Sequence, residues 1–231
     1  MIIGGLQKFS TIDFPKKLAA VVFTGGCNLR CPFCHNPDLV EWKGNGSGLA
    51  QSRVLDFLRR RVGKIDGVVL SGGEPTLQAD LVDFLMEVKA MGFAIKLDTN
   101  GTEPGVIKSL LDKNLLSYIA VDMKHVYSKY SRACGLKILS MEGIEESVSI
   151  VIHSGISYEF RTTMVPGIHV LSDALGIAIQ LDGAKRFVVQ EFIPKKTLSM
   201  GNFGESNFSR EDFELLRREI ESHVGEFVIR Y

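Results

Sequence analysis

Short runs of consecutive apolar residues alternate along the chain with longer segments in which apolar positions recur every three or four residues. The first pattern is typical of buried strands and the second of amphipathic helices. The predicted strands are residues 18–23, 67–70, 93–98, 118–123, 158–165 and 186–192, with a last strand at 227–231. The predicted helices are at about residues 50–63, 79–91, 104–113, 142–153, 171–181 and 210–222.

This regular alternation predicts six βα units, a parallel sheet and therefore an α/β barrel, followed by a short helix and strand. No linker, low-complexity tract or internal repeat interrupts the pattern, so we predict a single domain over residues 1–231. Its core barrel is expected at about residues 18–195 and its C-terminal tail at about 196–231.

The composition narrows the choice of partner and compartment. Lys plus Arg and Asp plus Glu both number 27, so the formal net charge is zero and we expect neither a nucleic acid nor a membrane as partner. The longest apolar run, residues 18–23, is far too short to span a bilayer, and the N-terminus lacks the pattern of a signal peptide. With clustered cysteines and no export signal, a cytoplasmic location is expected.

Three of the four cysteines, Cys27, Cys31 and Cys34, lie within the stretch GGCNLRCPFCHN. A structural zinc site needs four protein ligands, whereas three thiolates leave a metal or cluster with an open position. His35 is disfavoured as a fourth zinc ligand because it directly follows Cys34 and no second cysteine pair exists. We therefore favour a cubane iron–sulfur cluster with one iron lacking a protein ligand. Cys134 is expected to be a buried or inert thiol.

Unusual polar stretches follow four consecutive predicted strands: GGCNLRCPFCHN, SGGEPT, DTNG and DMKH. Because the carboxyl ends of parallel strands meet on one face of a barrel, we expect these stretches at one site. Gly72 and Gly73 permit a simple turn or the close approach of a ligand, and Glu74 offers a carboxylate for an ammonium group. Asn100 and Gly101 are read as a turn pair.

Four charged residues at strand ends are further candidates. Asp98 ends the third predicted strand, while Asp122 and Lys124 share one face of the fourth and either pair with each other or contact a ligand. Arg161 needs an anion if it faces the barrel interior. Four histidines show no ligand spacing and are expected to be ordinary polar residues: His125, His153, His169 and His223.

The cysteine motif and the GGE motif resemble those of the radical S-adenosylmethionine (SAM) superfamily. Its hallmark is C-x3-C-x2-C with an aromatic residue before the third cysteine, here Phe33, followed by a GGE motif, here residues 72–74. The wider pattern F-x2-G-C-x3-C-x2-C-x-N is met by Phe23, Gly26, the three cysteines and Asn36, and it is similar to the signature of glycyl-radical-enzyme activating proteins.

More narrowly, GLQKFSTIDFPKKLAAVVFTGGC and CPFCHNPDLV resemble proteins described as anaerobic ribonucleoside-triphosphate reductase activating proteins. Many activases carry an upstream G-x-G-x-[KR] element, but the matching positions here are Pro15, Lys17 and Ala19, which leaves the partner open. Related activases also place a histidine after the sixth strand, where this chain has Lys195 and Lys196.

The resemblance implies a partial (β/α)6 TIM-like barrel and an oxidoreductase with two cofactors. A [4Fe–4S] cluster would be held by Cys27, Cys31 and Cys34, with SAM on its fourth iron, and reduction would release a 5′-deoxyadenosyl radical. The GGE motif would bind the amino group of SAM, Arg161 would pair with its carboxylate, and Phe33 would lie beside its adenine. The implied SAM-pocket residues are Phe33, Asn36, Gly72, Gly73, Glu74, Asp98, Asp122, Lys124 and Arg161.

The implied partner is a glycyl-radical enzyme, in particular anaerobic ribonucleotide reductase, with an electron donor such as flavodoxin or ferredoxin. A minimal barrel suits a large substrate that inserts its own loop. Two alternatives remain open at this point. One is a radical SAM enzyme acting on a small molecule, such as a 7-carboxy-7-deazaguanine synthase-like enzyme. The other is a non-catalytic electron carrier or zinc module, which would not cleave SAM.

Overall fold

The structure is a computed structural model and describes residues 1–42, 48–193, 196–199, 203 and 208–230. Within these residues one sheet contains eight strands that follow one another in sequence order. The strands are β1 (Ile3–Ser10), β2 (Ala19–Thr24), β3 (Gly67–Gly72), β4 (Ala94–Thr99), β5 (Tyr118–Asp122), β6 (Ser157–Met164), β7 (Phe187–Glu191) and β8 (Phe227–Arg230).

Helices connect the successive strands, as the sequence pattern predicts. They are α1 (Pro37–Val40), α2 (Gln51–Arg59), α3 (Leu81–Ala90), α4 (Pro104–Asp112), α5 (Tyr130–Ala133), α6 (Glu142–Ile152), α7 (Leu171–Gln180) and α8 (Arg210–Ile220). Single 3-10 turns occur at Pro75–Leu77 and Tyr127–Lys129. No helix in the described part of the chain is long and apolar enough to cross a membrane.

The strands from β2 to β8 are all parallel, which confirms the predicted α/β fold with a partial barrel. β1 was not predicted, and it pairs antiparallel with β2. It lies at an edge of the sheet, where only Ile3 and Ser10 are buried, so its sequence carries neither a continuous apolar run nor a clean alternation.

A small apolar cluster fills the barrel at the amino ends of its strands. The ring of Phe14 packs there against Tyr118, with ring centroids 6.2 Å apart, in a cluster that also contains Ala19 and Val21 from β2. A much larger cluster lies on the other face of the sheet, between the strands and the helices. Because the amino ends are filled, the free space of the barrel lies toward the carboxyl ends of the strands.

Candidate active site

A pocket opens at the carboxyl ends of the strands, with about 830 Å³ of unfilled space when its open mouth is counted. Eleven of the twelve predicted site residues line the pocket, which places them together as expected. The exception is Arg161, which does not line it.

The loop after β2 carries the three clustered cysteines to the rim of this pocket, and all of them are free thiols. The Cys27 sulfur accepts a backbone hydrogen bond, which Leu29 N–H donates at 3.4 Å. No three Cys, His, Asp or Glu side chains among the described residues converge closely enough to hold one metal ion. A four-iron cluster binds each cysteine through a different iron, so it does not need such convergence.

The three thiols differ in acidity because their surroundings differ. Burial raises the pKa of Cys27 to about 11 and also raises the pKa of Cys34. The pKa of Cys31 is instead lowered to about 7, mainly because the Cys134 side chain donates a hydrogen bond to its sulfur. The positive charge of Lys124 lowers the pKa of all three thiols, and it thereby favours the thiolate form that binds iron.

The GGE turn after β3 is joined to the cysteine loop through the backbone. Gly73 N–H donates to Thr24 O at 2.9 Å, and Glu74 N–H donates to Gly26 O at 2.7 Å. A Cβ atom on Gly73 would lie 2.0 Å from that same Gly26 oxygen, and Gly72 has a positive φ of 118°. Close contact between two backbone segments is therefore enough to require glycine at both positions, whether or not a ligand also binds there.

Glu74 is fully buried and bound by protein donors. Its Oε1 atom accepts from Thr76 N–H, Thr76 Oγ1 and Thr99 Oγ1, and its Oε2 atom accepts from Asn100 N–H at 2.7 Å. Burial raises the pKa of Glu74 although these hydrogen bonds oppose the shift. The carboxylate thus ties β3 to the end of β4, and Oε2, with one protein donor, retains acceptor capacity toward the pocket.

Arg161 lies between two carboxylates. It stands opposite Asp122 in the β5–β6 pairing, its Nε is 2.9 Å from Asp122 Oδ1, and its Nη1 is 3.5 Å from Asp98 Oδ2. The anion that an inward arginine requires is therefore supplied by the protein. Burial would raise the pKa of Asp122, but the charges of Arg161 and Lys124 lower it well below its usual range. The expected contact of Arg161 with the SAM carboxylate remains a prediction that this geometry does not favour.

Asn100, which the sequence places in a turn pair with Gly101, also lines the pocket. It is buried, donates to Asn28 Oδ1 at 2.9 Å, and places its amide nitrogen 4.0 Å from Cys27 Sγ. Thr163 on β6 also lines the pocket. The alternation along β6 could have identified Thr163, since it lies two residues after Arg161 and thus on the same face.

His125 and His169 form a buried stacked pair behind the pocket, with ring centroids 4.5 Å apart. His169 Nδ1 accepts from Val165 N–H at 3.0 Å, so its Nε2–H donates to Lys124 O at 2.9 Å. The rings of His169 and Phe33 form a T-shaped pair with centroids 6.3 Å apart. The pair supports two predicted pocket residues, although neither histidine lines the pocket itself.

The segment after β7 packs on the cysteine loop. His35 stacks on Phe192 at 5.5 Å, and its Nε2 lies 3.0 Å from Ile193 O. Lys196 pairs with Asp38, while Lys195 lies outside the described residues. His35 is thus engaged by the end of β7, which accounts for this histidine without a role as a metal ligand.

Comparison with known proteins identifies the family. Residues 21–174 match the Radical SAM superfamily. A putative glycyl-radical enzyme activating enzyme of Methanocaldococcus jannaschii is 35% identical, over 84% of this chain and 81% of its own. The pyruvate formate-lyase-activating enzyme of Clostridium pasteurianum is 27% identical over 98% of both chains. A radical SAM methyltransferase from Sphaerobacter thermophilus has the same fold, with a TM-score of 0.71 and 18% identity over 94% of this chain and 67% of its own.

This chain belongs to the radical SAM superfamily and is an enzyme of that class. Membership implies a [4Fe–4S] cluster and SAM, which confirms the two cofactors expected from the sequence. The donor set fits them, since three free cysteines border a pocket that is also lined by carboxylates. The relatives are named as activating enzymes, but their names do not favour anaerobic ribonucleotide reductase over pyruvate formate-lyase.

Proposed function

We propose that this protein installs a glycyl radical on a partner enzyme. The observation that carries the proposal is the pocket itself, which is lined by both the cysteine loop and the GGE turn. The names of the relatives support the same activity. The four free cysteines agree with work in a reducing, cytoplasmic environment.

The residues take the following roles in this proposal. Cys27, Cys31 and Cys34 hold three irons of the cluster, and Lys124 offsets part of the negative charge of their thiolates. Glu74 uses the free capacity of Oε2 to accept from the SAM amino group. When bound and reduced, the two cofactors supply a 5′-deoxyadenosyl radical, while the protein orients them and excludes competing reactants.

The remaining predicted residues shape the SAM pocket. Asp98 and Asp122 provide carboxylates at the ends of β4 and β5, and Phe33 provides an aromatic surface for the adenine. Asn36 Nδ2 lies 3.5 Å from Gly72 O, so it braces the GGE turn against the cysteine loop. These assignments rest on the position of each side chain at the pocket.

The partner has to bring its glycine to the pocket mouth, because hydrogen abstraction requires near contact of about 3–3.5 Å between reacting atoms. We propose anaerobic ribonucleotide reductase as the partner on the resemblance of the N-terminal stretch. Pyruvate formate-lyase is the competing partner, since an activase for it matches nearly the whole chain. An electron donor such as flavodoxin or ferredoxin would reduce the cluster.

The test mixes the reconstituted protein with SAM, a reductant and each candidate partner under anaerobic conditions. We expect a carbon-centred radical on one partner, seen by electron paramagnetic resonance as a doublet that collapses when the glycine Cα carries deuterium. Partner protein with that glycine changed to alanine, and activase carrying Cys31→Ser, serve as controls without signal. Turnover of a small metabolite with stoichiometric 5′-deoxyadenosine, and no signal on any partner, would contradict the proposal.

A further inference from the structure

Asn100 lies where the cysteine loop, the GGE turn and the end of β4 meet. Its side chain is buried and lines the pocket. Its backbone N–H donates to Glu74 Oε2 at 2.7 Å, and its Nδ2 atom donates at 2.9 Å to Asn28 Oδ1, on the residue after the first cysteine of the loop. The same Nδ2 atom lies 4.0 Å from Cys27 Sγ. One residue therefore contacts both motifs that are assigned to the cofactors.

The side chain of Asn100 belongs to a closed ring of three hydrogen bonds. Asn28 Nδ2 donates to Thr102 Oγ1 at 2.8 Å, Thr102 Oγ1 donates to Asn100 Oδ1 at 2.7 Å, and Asn100 Nδ2 completes the ring at Asn28 Oδ1. The Thr102 backbone N–H also donates to Asn100 Oδ1, at 3.0 Å. Because a backbone N–H can only donate, this contact fixes which end of the amide is the oxygen, and Nδ2 has to point toward the cysteine loop.

Side chains hold this part of the loop in place. No backbone–backbone hydrogen bond between described residues involves Cys27 or Asn28, whereas the flanking Gly26 and Arg30 both form such bonds. Arg30 Nη1 donates to Cys27 O at 2.6 Å, but this contact stays within the loop. The ring through Asn28 therefore joins this stretch of the loop to the end of β4.

We propose that Asn100 is a positioning residue that keeps Cys27 in register with Glu74, through its side chain on the loop and its backbone on the carboxylate. The inference rests on Cys27 holding iron and Glu74 accepting from the SAM amino group, as in the proposed function. SAM would have to reach the open iron and Glu74 at the same time, so a small shift of the loop relative to the GGE turn should weaken its binding. Because linked hydrogen bonds polarise one another, loss of one member of the ring should loosen the other two.

Thr102 allows the sharpest test because it does not line the pocket. Thr102→Val removes the hydroxyl that closes the ring and keeps the shape of the side chain, whereas Thr102→Ser keeps the hydroxyl. An effect on the cofactors that appears with valine and is absent with serine has to pass through that hydroxyl. Asn100→Ala removes the amide but retains the backbone N–H that binds Glu74, and Asn28→Ala removes the loop side of the ring.

Each protein is reconstituted anaerobically, and three properties are measured: the melting temperature without cofactors, the rate at which a chelator removes iron, and the affinity for SAM by calorimetry. We expect Asn100→Ala to speed iron loss and to weaken SAM binding by about tenfold, the effect of losing one net hydrogen bond. Asn28→Ala and Thr102→Val should act in the same direction, and Thr102→Ser should stay near wild type. The double variant Asn28→Ala/Thr102→Val should be no weaker than the more affected single variant, because both changes open the same ring.

Ile220→Val is the control for stability alone. It truncates a buried side chain on α8, which packs beside the edge strand β8. This variant should lower the melting temperature without a change in iron loss or SAM affinity.

Three results would overturn the inference. The first is wild-type iron loss and SAM affinity in folded Asn100→Ala protein. The second is equal losses in Thr102→Val and Thr102→Ser, and the third is losses that Ile220→Val reproduces at the same melting temperature. None of these measurements needs a partner, so the expected losses together with no radical on any partner would leave this inference standing and remove the proposed function.

Discussion

The Gly26 carbonyl oxygen accepts a hydrogen bond of 2.7 Å from the Glu74 amide, and this bond holds the cysteine loop against the GGE turn. The contact is possible only because Gly73, between the two, has no side chain: an added Cβ would lie 2.0 Å from the same oxygen. The two motifs are 47 positions apart in sequence but act as one backbone unit. The geometry of the cluster loop and of the SAM pocket is therefore coupled.

Gly73→Ala should separate these two segments. We expect a lower melting temperature, reduced iron loading after reconstitution and weaker SAM binding, all from one methyl group, because neither backbone can move without breaking hydrogen bonds. Gly105→Ala is the matched control, since a Cβ on Gly105 in α4 meets nothing within 4 Å. That variant should be neutral or more stable by about 0.5–1 kcal/mol. Equal effects of the two substitutions would show that the coupling is unimportant.

The cysteines should divide into three that are required for the cluster and one that is not. Cys27→Ser, Cys31→Ser and Cys34→Ser should each prevent assembly of a four-iron cluster, whereas Cys134→Ser should not. Iron and sulfide analysis with the visible absorption spectrum measures this directly. Stoichiometric zinc in the purified wild-type protein, with no uptake of iron, would contradict the assignment.

Glu74→Gln should keep the cluster but weaken SAM binding. A neutral amide loses the charge-assisted bond to the SAM ammonium, worth roughly 1.5–3 kcal/mol, and its NH2 group also faces protein donors in a buried site. Unfolding experiments should therefore show a loss of about 1–3 kcal/mol in stability as well. SAM affinity is measured by anaerobic calorimetry.

The control for Glu74→Gln is Thr76→Val, which removes one hydrogen bond to the carboxylate and leaves its charge in place. This variant should lose stability with little change in SAM affinity. If Thr76→Val weakens SAM binding as much as Glu74→Gln does, then Glu74 acts on SAM only through the fold of the turn.

The buried histidine pair should make stability fall in mild acid. Burial and the neighbouring His125 lower the pKa of His169 to about 4. Below about pH 6.5 this imidazole is protonated in the unfolded chain but stays neutral in the folded chain. The free energy of unfolding therefore falls as pH decreases toward 4. The loss approaches about 1.4 kcal/mol per pH unit.

Denaturant titrations at pH 7, 6 and 5 test this dependence. His169→Gln should show a shallower fall in the free energy of unfolding than wild type does. His153→Gln replaces an exposed histidine on the surface and should retain the wild-type slope. Parallel slopes for all three proteins would mean that His169 is not the source of the acid sensitivity.

The sheet was predictable from β2 onward because its strands are buried on both faces and read as continuous apolar runs. The cysteine loop was predictable because its chemistry depends on residues a few positions apart. β1 was missed because an edge strand of exposed and half-buried residues carries little pattern. The final β strand was recognised despite its short length.

Contacts between residues that are distant in sequence could not be predicted from local sequence patterns. The hydrogen bond from Arg30 N–H to Cys134 O and the bond from His169 to Lys124 O each join residues that are dozens of positions apart. Arg161 shows the same limit, because its sequence indicates that it needs an anion but not that Asp98 and Asp122 supply it.

Phe14 fills the barrel where an axial passage from the amino ends of the described strands would run. Passage along the barrel axis from the amino ends is therefore blocked, and the mouth at the carboxyl ends is an entrance that SAM and a partner's loop would share. SAM, which would bind deeper than the partner's loop, would therefore have to bind before the loop and leave after it. If a partner's loop occupies that entrance, the cleavage products of SAM cannot leave until the loop withdraws. The rate of repeated turnover would then be set by dissociation of the protein complex rather than by the chemical step.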